Sequence, residues 1–375
     1  MRQTLIIKPT HNCNLNCWFC YDRHERYDHP LAVMPVDKFI QAIEKWIKET
    51  PNCAHSVIAH GGEPLTVGKG YFKTFNEALK DYNIEWHIQT NLSLMDQEWA
   101  DLLRKYKYHI GASWDGLKYQ QPQSHNSQYI ENALRYLRPG EFGLLFVITP
   151  QNIDDVLDSY IWAWQRGLGI SFSTIFGEKL TEEDYNKIIL AYDLLFDYLC
   201  KNRDSNPSFR PFDEYLDYIQ GIFPRLCEHG ICANGWRGID YNGDVSQCGK
   251  PWEEKDMTYG NVFDENFHFY DMDKNSKFIK FKQNEVDQFS QCKDCKWLIL
   301  CNDGCLFQNY DAQGNYHFDE NYCYFKKKLL DSFDEILLMN LEQKTLSNRT
   351  IIGDIYNTER IDFFKYRNYE YEGDE

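Results

Sequence analysis

The sequence lacks any apolar run close to the roughly 20 residues that a membrane-spanning helix needs. Residues 1–3 lead directly into a short strand-like run without a preceding apolar segment, so no signal peptide is expected. Positive charge is scarce: 40 Lys and Arg stand against 57 Asp and Glu, which gives a net charge of −17. These absences predict a cytoplasmic protein with no membrane partner and no nucleic-acid partner.

Cysteine, by contrast, is abundant, with 13 in 375 residues. Disulfides rarely persist in the cytosol, and this density is well below that of a small disulfide-held scaffold. Metal ligation is therefore the leading interpretation of the cysteines.

Short β-rich runs alternate with amphipathic helical stretches from residue 4 to residue 200. The predicted strands are 4–10, 56–63, 84–91, 109–115, 142–149 and 169–176. The predicted helices between them are 36–50, 71–82, 96–106, 129–137, 152–165 and 181–200. Repeated βα units predict an α/β protein with a parallel sheet, either doubly wound or curled into a barrel.

Unusual residues lie at or just beyond the carboxyl ends of these strands, namely Cys13, Gly62, Asn91, Asp115 and Thr149. In a barrel these ends meet on one face, where active sites are built. Their placement favours the barrel.

After about residue 202 the pattern becomes irregular, and eight of the thirteen cysteines crowd between Cys227 and Cys323. We expect a barrel domain over 1–202 and a second, metal-held domain over 203–335. A helix end and an acidic tail are expected over 336–375.

The first cysteine motif follows the first strand directly, where Cys13, Cys17 and Cys20 have the spacing C-x3-C-x2-C. Three thiolates in one short loop hold three irons of a [4Fe–4S] cluster and leave the fourth iron open to a non-protein ligand. The alternative is structural zinc, but tetrahedral zinc sites use four closed ligands. The spacing therefore favours the iron–sulfur cluster.

This loop resembles the hallmark of the radical S-adenosylmethionine (SAM) superfamily, in which an aromatic residue precedes the third cysteine. Three further family motifs follow at successive strand ends: Gly-Gly-Glu-Pro at 61–64, Gln-Thr-Asn at 89–91 and Ser-Trp-Asp-Gly at 113–116. The resemblance implies a partial (β/α)6 barrel of TIM type. It assigns to SAM binding the residues Phe19, Gly61, Gly62, Glu63, Pro64, Gln89, Asn91, Ser113 and Asp115.

The chain departs from the family pattern at one point. Many relatives carry an arginine shortly after the Ser-x-Asp-Gly motif to hold the SAM carboxylate, and residues 117–130 contain none. The polar candidates in that segment are Lys118, His125, Asn126 and Ser127.

The later cysteines resemble the SPASM extension found on many radical SAM enzymes. Cys232 is followed by Gly243 and Cys248, and a C-x2-C-x5-C-x3-C-x17-C run begins at Cys292. A zinc ribbon made from the first four cysteines of that run is the alternative, since thiolates accept either metal. The resemblance implies two auxiliary [4Fe–4S] clusters, one held by Cys227, Cys232, Cys248 and Cys305 and the other by Cys292, Cys295, Cys301 and Cys323.

Four thiolates for each auxiliary cluster leave no open iron, so the resemblance implies an electron-transfer role for both. The total would be three [4Fe–4S] clusters. Cys53 and Cys200 are left over and are interpreted as ordinary thiols.

The resemblance implies an enzyme that reductively cleaves SAM to a 5′-deoxyadenosyl radical, which removes an unactivated hydrogen from the substrate. Relatives with a SPASM domain mostly act on peptides or proteins. We therefore expect oxidative modification of a peptide or protein substrate, foremost cross-linking of a ribosomally made peptide. An external electron donor of the flavodoxin or ferredoxin type is expected as a partner.

Other functions stay open. In sulfatase maturases an aspartate closely follows the cysteine of the Gx4C element, whereas Gly249 and Lys250 follow Cys248 here. That difference argues against formylglycine formation. A small-molecule radical SAM oxidase and a non-catalytic iron–sulfur electron carrier are further alternatives, and the intact motifs at 61–64 and 113–116 argue against the carrier.

The sequence assigns no catalytic acid or base. Tyr21 and Asp22 beside the first cluster loop, and Lys250 beside Cys248, are candidates for moving protons. The alternative for each is an exposed loop residue without a chemical role.

Overall fold

The computed structural model describes residues 2–23, 32–119, 124–175, 180–202, 209–210, 212–221, 232–301 and 304–345. All strands of this part lie in one sheet of ten. The strands are β1 Arg2–Thr10, β2 Ala54–Gly61, β3 Ile84–Thr90, β4 His109–Trp114, β5 Phe142–Ile148, β6 Gly169–Thr174, β7 Phe209–Arg210, β8 Trp236–Ile239, β9 Asp244–Ser246 and β10 Gly260–Asn261.

The helices of the described residues connect these strands and cover the sheet. They are α1 Val36–Glu49, α2 Lys69–Ala78, α3 Gln97–Lys105, α4 Ser127–Ala133, α5 Val156–Gln165, α6 Glu182–Lys201, α7 Phe212–Ile219, α8 Cys232–Gly235, α9 Ser276–Cys292, α10 Leu298–Cys301 and α11 Glu320–Thr345. Short 3₁₀ turns occupy Pro64–Val67, Ile153–Asp155, Trp252–Lys255 and Phe269–Lys274.

Strands β1 to β6 lie side by side in chain order, and every neighbouring pair is parallel. A doubly wound sheet reverses its strand order at a switch point, and this sheet does not. The winding is therefore that of a barrel, as predicted. The barrel is partial, because β1 continues the sheet through β8 and not through β6 or β7.

The helices pack on the outer face of the sheet through apolar stripes at helical spacing. In α1, Phe39, Ala42, Ile43 and Trp46 are buried, which is the i, i+3, i+4, i+7 pattern of a one-sided helix. Along the strands, buried and half-buried residues alternate with a period of two. Every second residue of β5 is buried against the helices, and those between line the inside of the barrel.

Helix α6 begins where the sequence predicts a helix. Thr181 and Asp184 form a capping box, in which each side chain satisfies a free backbone N–H of the first turn. Helix α11 packs beside α6, and the rings of Phe196 and Phe333 stack 4.6 Å apart. No helix of the described residues combines the length and hydrophobicity that crossing a membrane requires.

The cysteine-rich part of the chain extends the same sheet. Strand β8 runs parallel to β1, with Ile7 opposite Ile239, and β9 returns antiparallel to β8. Gly243, with φ of +92°, closes the turn between β8 and β9 by donating a backbone hydrogen bond to Asp240. The sequence did not reveal these short strands, which join the first cysteine loop to the later cysteines.

Candidate active site at the carboxyl ends of the strands

The first three cysteines lie in the loop that leaves the carboxyl end of β1. The Sγ of Cys13 accepts a hydrogen bond from the backbone N–H of Leu15 at 3.4 Å. Cys17 is 4% exposed, and backbone bonds from Cys20 to Cys17 and from Arg23 to Cys20 hold the loop in consecutive turns. N–H groups directed at thiolates are a feature of iron–sulfur sites, so this donor set fits the predicted cluster.

Gly61 and Gly62 allow the end of β2 to lie directly against this loop. A Cβ on Gly61 would stand 2.3 Å from the Thr10 carbonyl oxygen, and Gly61 has φ of +117°. A Cβ on Gly62 would stand 2.3 Å from the carbonyl oxygens of His11 and Asn12. Only glycine tolerates both positions, because the colliding atoms belong to the backbone.

Glu63 joins the ends of β2 and β3. It is 1% exposed, and its carboxylate accepts hydrogen bonds from the backbone N–H of Asn91 at 2.7 Å, from Thr90 Oγ1 at 2.8 Å and from the backbone N–H of Leu65 at 3.0 Å. Burial raises the pKa of Glu63, and these hydrogen bonds oppose the rise. Pro64, also buried, starts the 3₁₀ turn that follows.

The remaining motif residues continue across β3 and β4. Asn91 Nδ2 donates to Asn14 at 3.0 Å and lies 3.9 Å from Cys13 Sγ. Gln89 donates to Ser113 Oγ at 3.0 Å, so these two side chains share the inside of the barrel. The structure thus places the three motifs along one edge beside the cysteine loop.

Asp115 is buried behind this edge and is held by a histidine. The Asp115 carboxylate accepts from the backbone N–H of His125 at 2.8 Å and lies 3.0 Å from its Nδ1. The His125 Nε2 lies 3.6 Å from Cys17 Sγ, and the Phe19 ring packs on the same imidazole at 6.3 Å between centroids. Burial alone lowers the pKa of His125, but the Asp115 carboxylate outweighs it and holds the pKa well above its usual value.

The four polar residues available to replace the missing arginine are used differently. Lys118 pairs with a carboxylate of α5, Asn126 caps the amino end of α4, and Ser127 accepts a hydrogen bond from the indole of a β4 tryptophan. His125 is the one beside a cysteine of the first loop. The sequence did not distinguish His125 from the other three candidates, since the loop that carries it has no regular pattern.

The later cysteines fall into two groups. Cys248 Sγ accepts a hydrogen bond from Trp252 Nε1 at 3.1 Å, and burial, together with the nearby Cys305, raises its pKa. Gln247 joins this group to Cys232, whose Sγ lies 3.7 Å from the amide nitrogen. These contacts place Cys248 near Cys305 and, through Gln247, near Cys232.

The second group surrounds Lys327 on α11. The charge of Cys323, with smaller effects from Cys295 and Cys292, raises the pKa of this lysine. Cys301 lies buried at the end of α10. The grouping fits the interleaved assignment of two auxiliary sites, and Cys227, the fourth predicted ligand of the first group, lies outside the described residues.

A buried chain of charges, which the sequence did not reveal, links the two parts of the site. Lys8 Nζ lies 2.7 Å from Asp22 Oδ1, and His11 Nδ1 lies 2.7 Å from the other oxygen of Asp22. His11 Nε2 then lies 2.8 Å from Asp240 Oδ1 at the end of β8. Burial disfavours a charged ring, but the hydrogen bonds to Asp22 and Asp240 outweigh it and raise the pKa of His11 to about 9.

The three candidates for proton transfer have distinct environments. Asp22 is 1% exposed and is therefore no exposed loop residue. Tyr21 Oη lies 3.2 Å from His60 Nδ1, which also accepts the backbone N–H of Gly61 at 2.8 Å. Because Nδ1 is an acceptor, the neutral His60 ring carries its proton on Nε2. Lys250 lines the cavity described next.

A small cavity, partly open to solvent, lies between the carboxyl end of β1 and the hairpin formed by β8 and β9. Its lining includes Lys8, Asp240, Cys248, Gly249, Lys250 and Thr258. One wall therefore belongs to the barrel and the other to the first group of later cysteines.

Comparison with known families agrees with this arrangement. The profile of the radical SAM superfamily matches residues 7–191. The SPASM profile, an iron–sulfur cluster-binding domain, matches residues 232–296. The first match covers the end of β1 and all of β2 to β6, and the second covers β8 to β10.

Similar curated proteins include a cysteine-type anaerobic sulfatase-maturating enzyme of Clostridium perfringens (strain 13 / Type A), which is 28% identical over 342 residues. That alignment covers 80% of this chain and 88% of the relative. A serine-type anaerobic sulfatase-maturating enzyme of Bacteroides thetaiotaomicron is 22% identical over 346 residues, covering 80% of this chain and 82% of the relative.

Solved structures share the fold. The structure of anSMEcpe with bound AdoMet and Cp18Cys peptide superimposes with a TM-score of 0.75 at 22% identity, covering 92% of this chain and 100% of the other. Streptococcus suis SuiB bound to S-adenosylmethionine gives a TM-score of 0.58 at 19% identity, covering 86% of this chain and 75% of the other. With its motifs, strand order and later cysteines arranged in this way, the chain belongs to the radical SAM superfamily and carries a SPASM domain.

Proposed function

We propose that this enzyme oxidises a side chain of a peptide or protein, foremost by forming a cross-link in a ribosomally made peptide. The cavity between β1 and Cys248 carries the proposal. Its lining brings Lys8 at the end of β1 and Asp240 at the end of β8 together with Cys248 of the later cysteines. In this proposal, one side chain of a longer substrate enters between the two cysteine regions.

In this proposal Cys13, Cys17 and Cys20 hold the first [4Fe–4S] cluster, and the motifs at 61–64, 89–91 and 113–116 hold SAM. We assign His125 to the SAM carboxylate, since it is the polar residue after the Ser-x-Asp-Gly motif that lies beside Cys17. When bound, the cluster and SAM together supply the hydrogen-abstracting chemistry.

Two auxiliary clusters held by the later cysteines would provide a route for the electron that the substrate loses. The two groups of thiols around Cys248 and around Lys327 support separate sites. The first electron would come from an external donor of the flavodoxin or ferredoxin type. The proposal includes three [4Fe–4S] clusters in total.

Asp240 is the proposed acceptor of the proton that leaves the substrate. It lines the same cavity as Gly249, the position near which sulfatase maturases carry an aspartate. A carboxylate thus still faces the cavity, but it comes from the end of β8. His11 fixes its orientation through contacts of 2.8 Å and 3.0 Å with the two carboxylate oxygens.

Formylglycine formation is the second candidate. The similarity to enzymes named as anaerobic sulfatase-maturating enzymes favours it, and Gly249 in place of an aspartate argues against it. Asp240 would serve as the proton acceptor in either reaction, so the choice depends on the substrate.

The cluster assignment is tested by iron and sulfide analysis of the anaerobically reconstituted chain. About twelve irons are expected from three [4Fe–4S] clusters. Cys227→Ala should lose iron from one auxiliary cluster, whereas Cys53→Ala, a matched change of a thiol outside the assigned set, should lose none. Full iron content and unchanged SAM cleavage in Cys227→Ala would contradict the four-thiolate assignment.

The substrate class is tested with reductant, SAM and two sets of peptides. One set consists of short peptides encoded beside the gene, and the other of sulfatase-type peptides with Cys or Ser at the target position. Loss of two hydrogens with a new internal linkage in tandem mass spectra would support cross-linking. A hydrazine-reactive aldehyde would support formylglycine formation, and SAM cleavage that no peptide stimulates or couples to product would contradict both.

Individual roles are tested in the same reactions. Asp240→Asn should retain SAM cleavage while losing coupled product. His125→Ala should weaken SAM binding in equilibrium dialysis. His317→Gln changes an exposed histidine that pairs with Asp311, and it should leave SAM binding unchanged. Wild-type SAM affinity in His125→Ala would contradict the carboxylate assignment.

A further inference from the structure

A second cluster of metal-binding side chains lies at the opposite, amino-terminal edge of the barrel. Glu85 and His87 lie on β3 and His109 begins β4, directly opposite His87 in the strand register. Residues two apart on one strand, or opposite each other on neighbouring strands, present their side chains on the same face. One donor atom from each of the three side chains lies within 4.8 Å of the other two.

The distances within this triad suit co-ligands better than hydrogen bonds. His87 Nε2 lies 3.5 Å and His109 Nε2 lies 3.4 Å from Glu85 Oε1. Both separations exceed the roughly 2.7–3.2 Å of an N–H···O hydrogen bond. They match the ligand-to-ligand edge of about 3.3–3.4 Å in a tetrahedron whose ligands stand about 2.0–2.1 Å from zinc.

The surroundings of the triad favour the same geometry. The two imidazole rings stack at 4.7 Å with an interplanar angle of 26°, and the Nε2 atoms of both lie near Glu85 Oε1. Arg2 pairs with the other oxygen of the Glu85 carboxylate and so leaves Oε1 directed at the histidines. Carboxylate ligands of metals are commonly held by such an outer partner.

One side of the triad remains open to solvent. The side chain of His109 is 63% exposed and that of His87 is 30% exposed. Three protein ligands with a free fourth position are the arrangement of His2Glu zinc sites, in which water completes the tetrahedron. Imidazole with carboxylate also suits other first-row divalent ions, but not Mg²⁺ or Ca²⁺, which prefer all-oxygen sites.

We propose that Glu85, His87 and His109 bind one Zn²⁺ ion with water at the fourth position. The ion would fasten β3 to β4 at the amino-terminal edge of the barrel. Asn91 directly follows β3 and is four residues beyond His87, which corresponds to about 13 Å of extended chain. The site is therefore distinct from the edge that carries the cysteine loop, and it does not depend on the reaction proposed above.

The test uses the full-length chain with its iron–sulfur clusters reconstituted, so that the cysteines are not free to take up zinc. Equilibrium dialysis against buffered Zn²⁺, followed by elemental analysis, should give one zinc per chain beyond the iron content. His87→Gln, His109→Gln and Glu85→Gln should each weaken zinc binding at least tenfold. Zinc should raise the melting temperature of the wild type and not that of the variants.

His317→Gln is the matched control. His317 is 66% exposed and has a carboxylate partner at 3.0 Å, like the histidines of the triad, but within the described residues it is not part of any three-ligand group. It should bind zinc as the wild type does. X-ray absorption at the zinc edge should show nitrogen and oxygen ligands at about 2.0–2.1 Å.

Two results would overturn the proposal. One is zinc binding by the wild type that is no tighter than that of the triad variants. The other is a sulfur shell at about 2.3 Å in the absorption spectrum, which would place the zinc on cysteines. Unchanged iron content and circular dichroism in the variants exclude misfolding as the cause of any loss.

Discussion

Replacing Asp22 by Asn removes the shared counterion of two buried cations. The Asp22 carboxylate contacts the Lys8 ammonium and the His11 ring, each at 2.7 Å, and is 1% exposed. Asparagine has nearly the same shape, so packing around the site is retained. The asparagine amide, however, replaces one of the two carboxylate oxygens by an NH2 group. Either Lys8 or His11 then faces a hydrogen-bond donor where it now contacts an oxygen.

The magnitude follows from these distances. Two unit charges 2.7 Å apart attract by about 6 kcal/mol at an effective dielectric constant near 20. Much of this attraction only offsets the cost of taking the charges out of water. Removing one member of a buried ion pair costs about 3–5 kcal/mol, because the remaining charge stays buried without compensation.

The assay is thermal unfolding of the reconstituted protein under anaerobic conditions, followed by circular dichroism. For a chain of 375 residues, a loss of about 3–5 kcal/mol corresponds to a fall in melting temperature of roughly 4–6 °C, because the entropy of unfolding is about 2.1 cal/mol/K per residue. Glu183→Gln removes the partner of Lys187 in an exposed pair with carboxylate-to-ammonium distance 2.8 Å and serves as the control. No measurable shift is expected there, since solvent screens exposed pairs.

The reasoning would be refuted by an Asp22→Asn protein that melts within about 1 °C of the wild type. Such a result would mean that the buried cations are solvated or uncharged in the folded protein. A fall in melting temperature no larger than that of Glu183→Gln would lead to the same conclusion. Iron content, measured in parallel, separates a loss of fold stability from a loss of the first cluster.

Three further predictions concern single residues. Burial, aided by the nearby Lys8, lowers the pKa of His60 to about 4 from 6.5. Between pH 6.5 and about pH 4 the unfolded chain binds more protons at this position than the folded chain, so the free energy of unfolding falls as the pH drops. His60→Gln should therefore flatten the pH dependence of the melting temperature in thermal scans. Gly62→Ala, whose Cβ would collide with two backbone oxygens, should lose iron from the first cluster in metal analysis. Phe333→Ala removes a fully buried ring stacked on Phe196 and should destabilise the protein by about 3–5 kcal/mol in denaturant titrations.

The sequence predicted the barrel well because its signals are local. Each of the six strands has a run of apolar residues long enough to identify, and the bounds differ from the structure by only a few residues. The prediction extended the second strand to residue 63, whereas β2 ends at Gly61, where the backbone turns to φ of +117°. The motif residues were found for the same reason, since each follows a strand directly in the chain.

What the sequence did not show depends on residues that are distant in the chain. Strand β8 has only four residues, too few for a periodic pattern, and it pairs with β1 more than two hundred positions earlier. The contact between His11 and Asp240 follows from that pairing. Neither residue type stands out, because a histidine or an aspartate near a turn is ordinary.

The pairing of β8 with β1 has a consequence for how the two cysteine regions are positioned. Ile7 lies opposite Ile239, the last residue of β8, so both strands run to the same edge of the sheet. One continues towards Cys13 and the other into the hairpin before Cys248. The backbone hydrogen bonds of a sheet set this register, and a slip by one residue would reverse the face of every side chain. His11 and Asp240 then clamp the two ends together where the sheet stops. The separation between the first cysteine loop and Cys248 is therefore determined by a strand pair and one buried ion pair, independently of the less regular loops that carry the other cysteines.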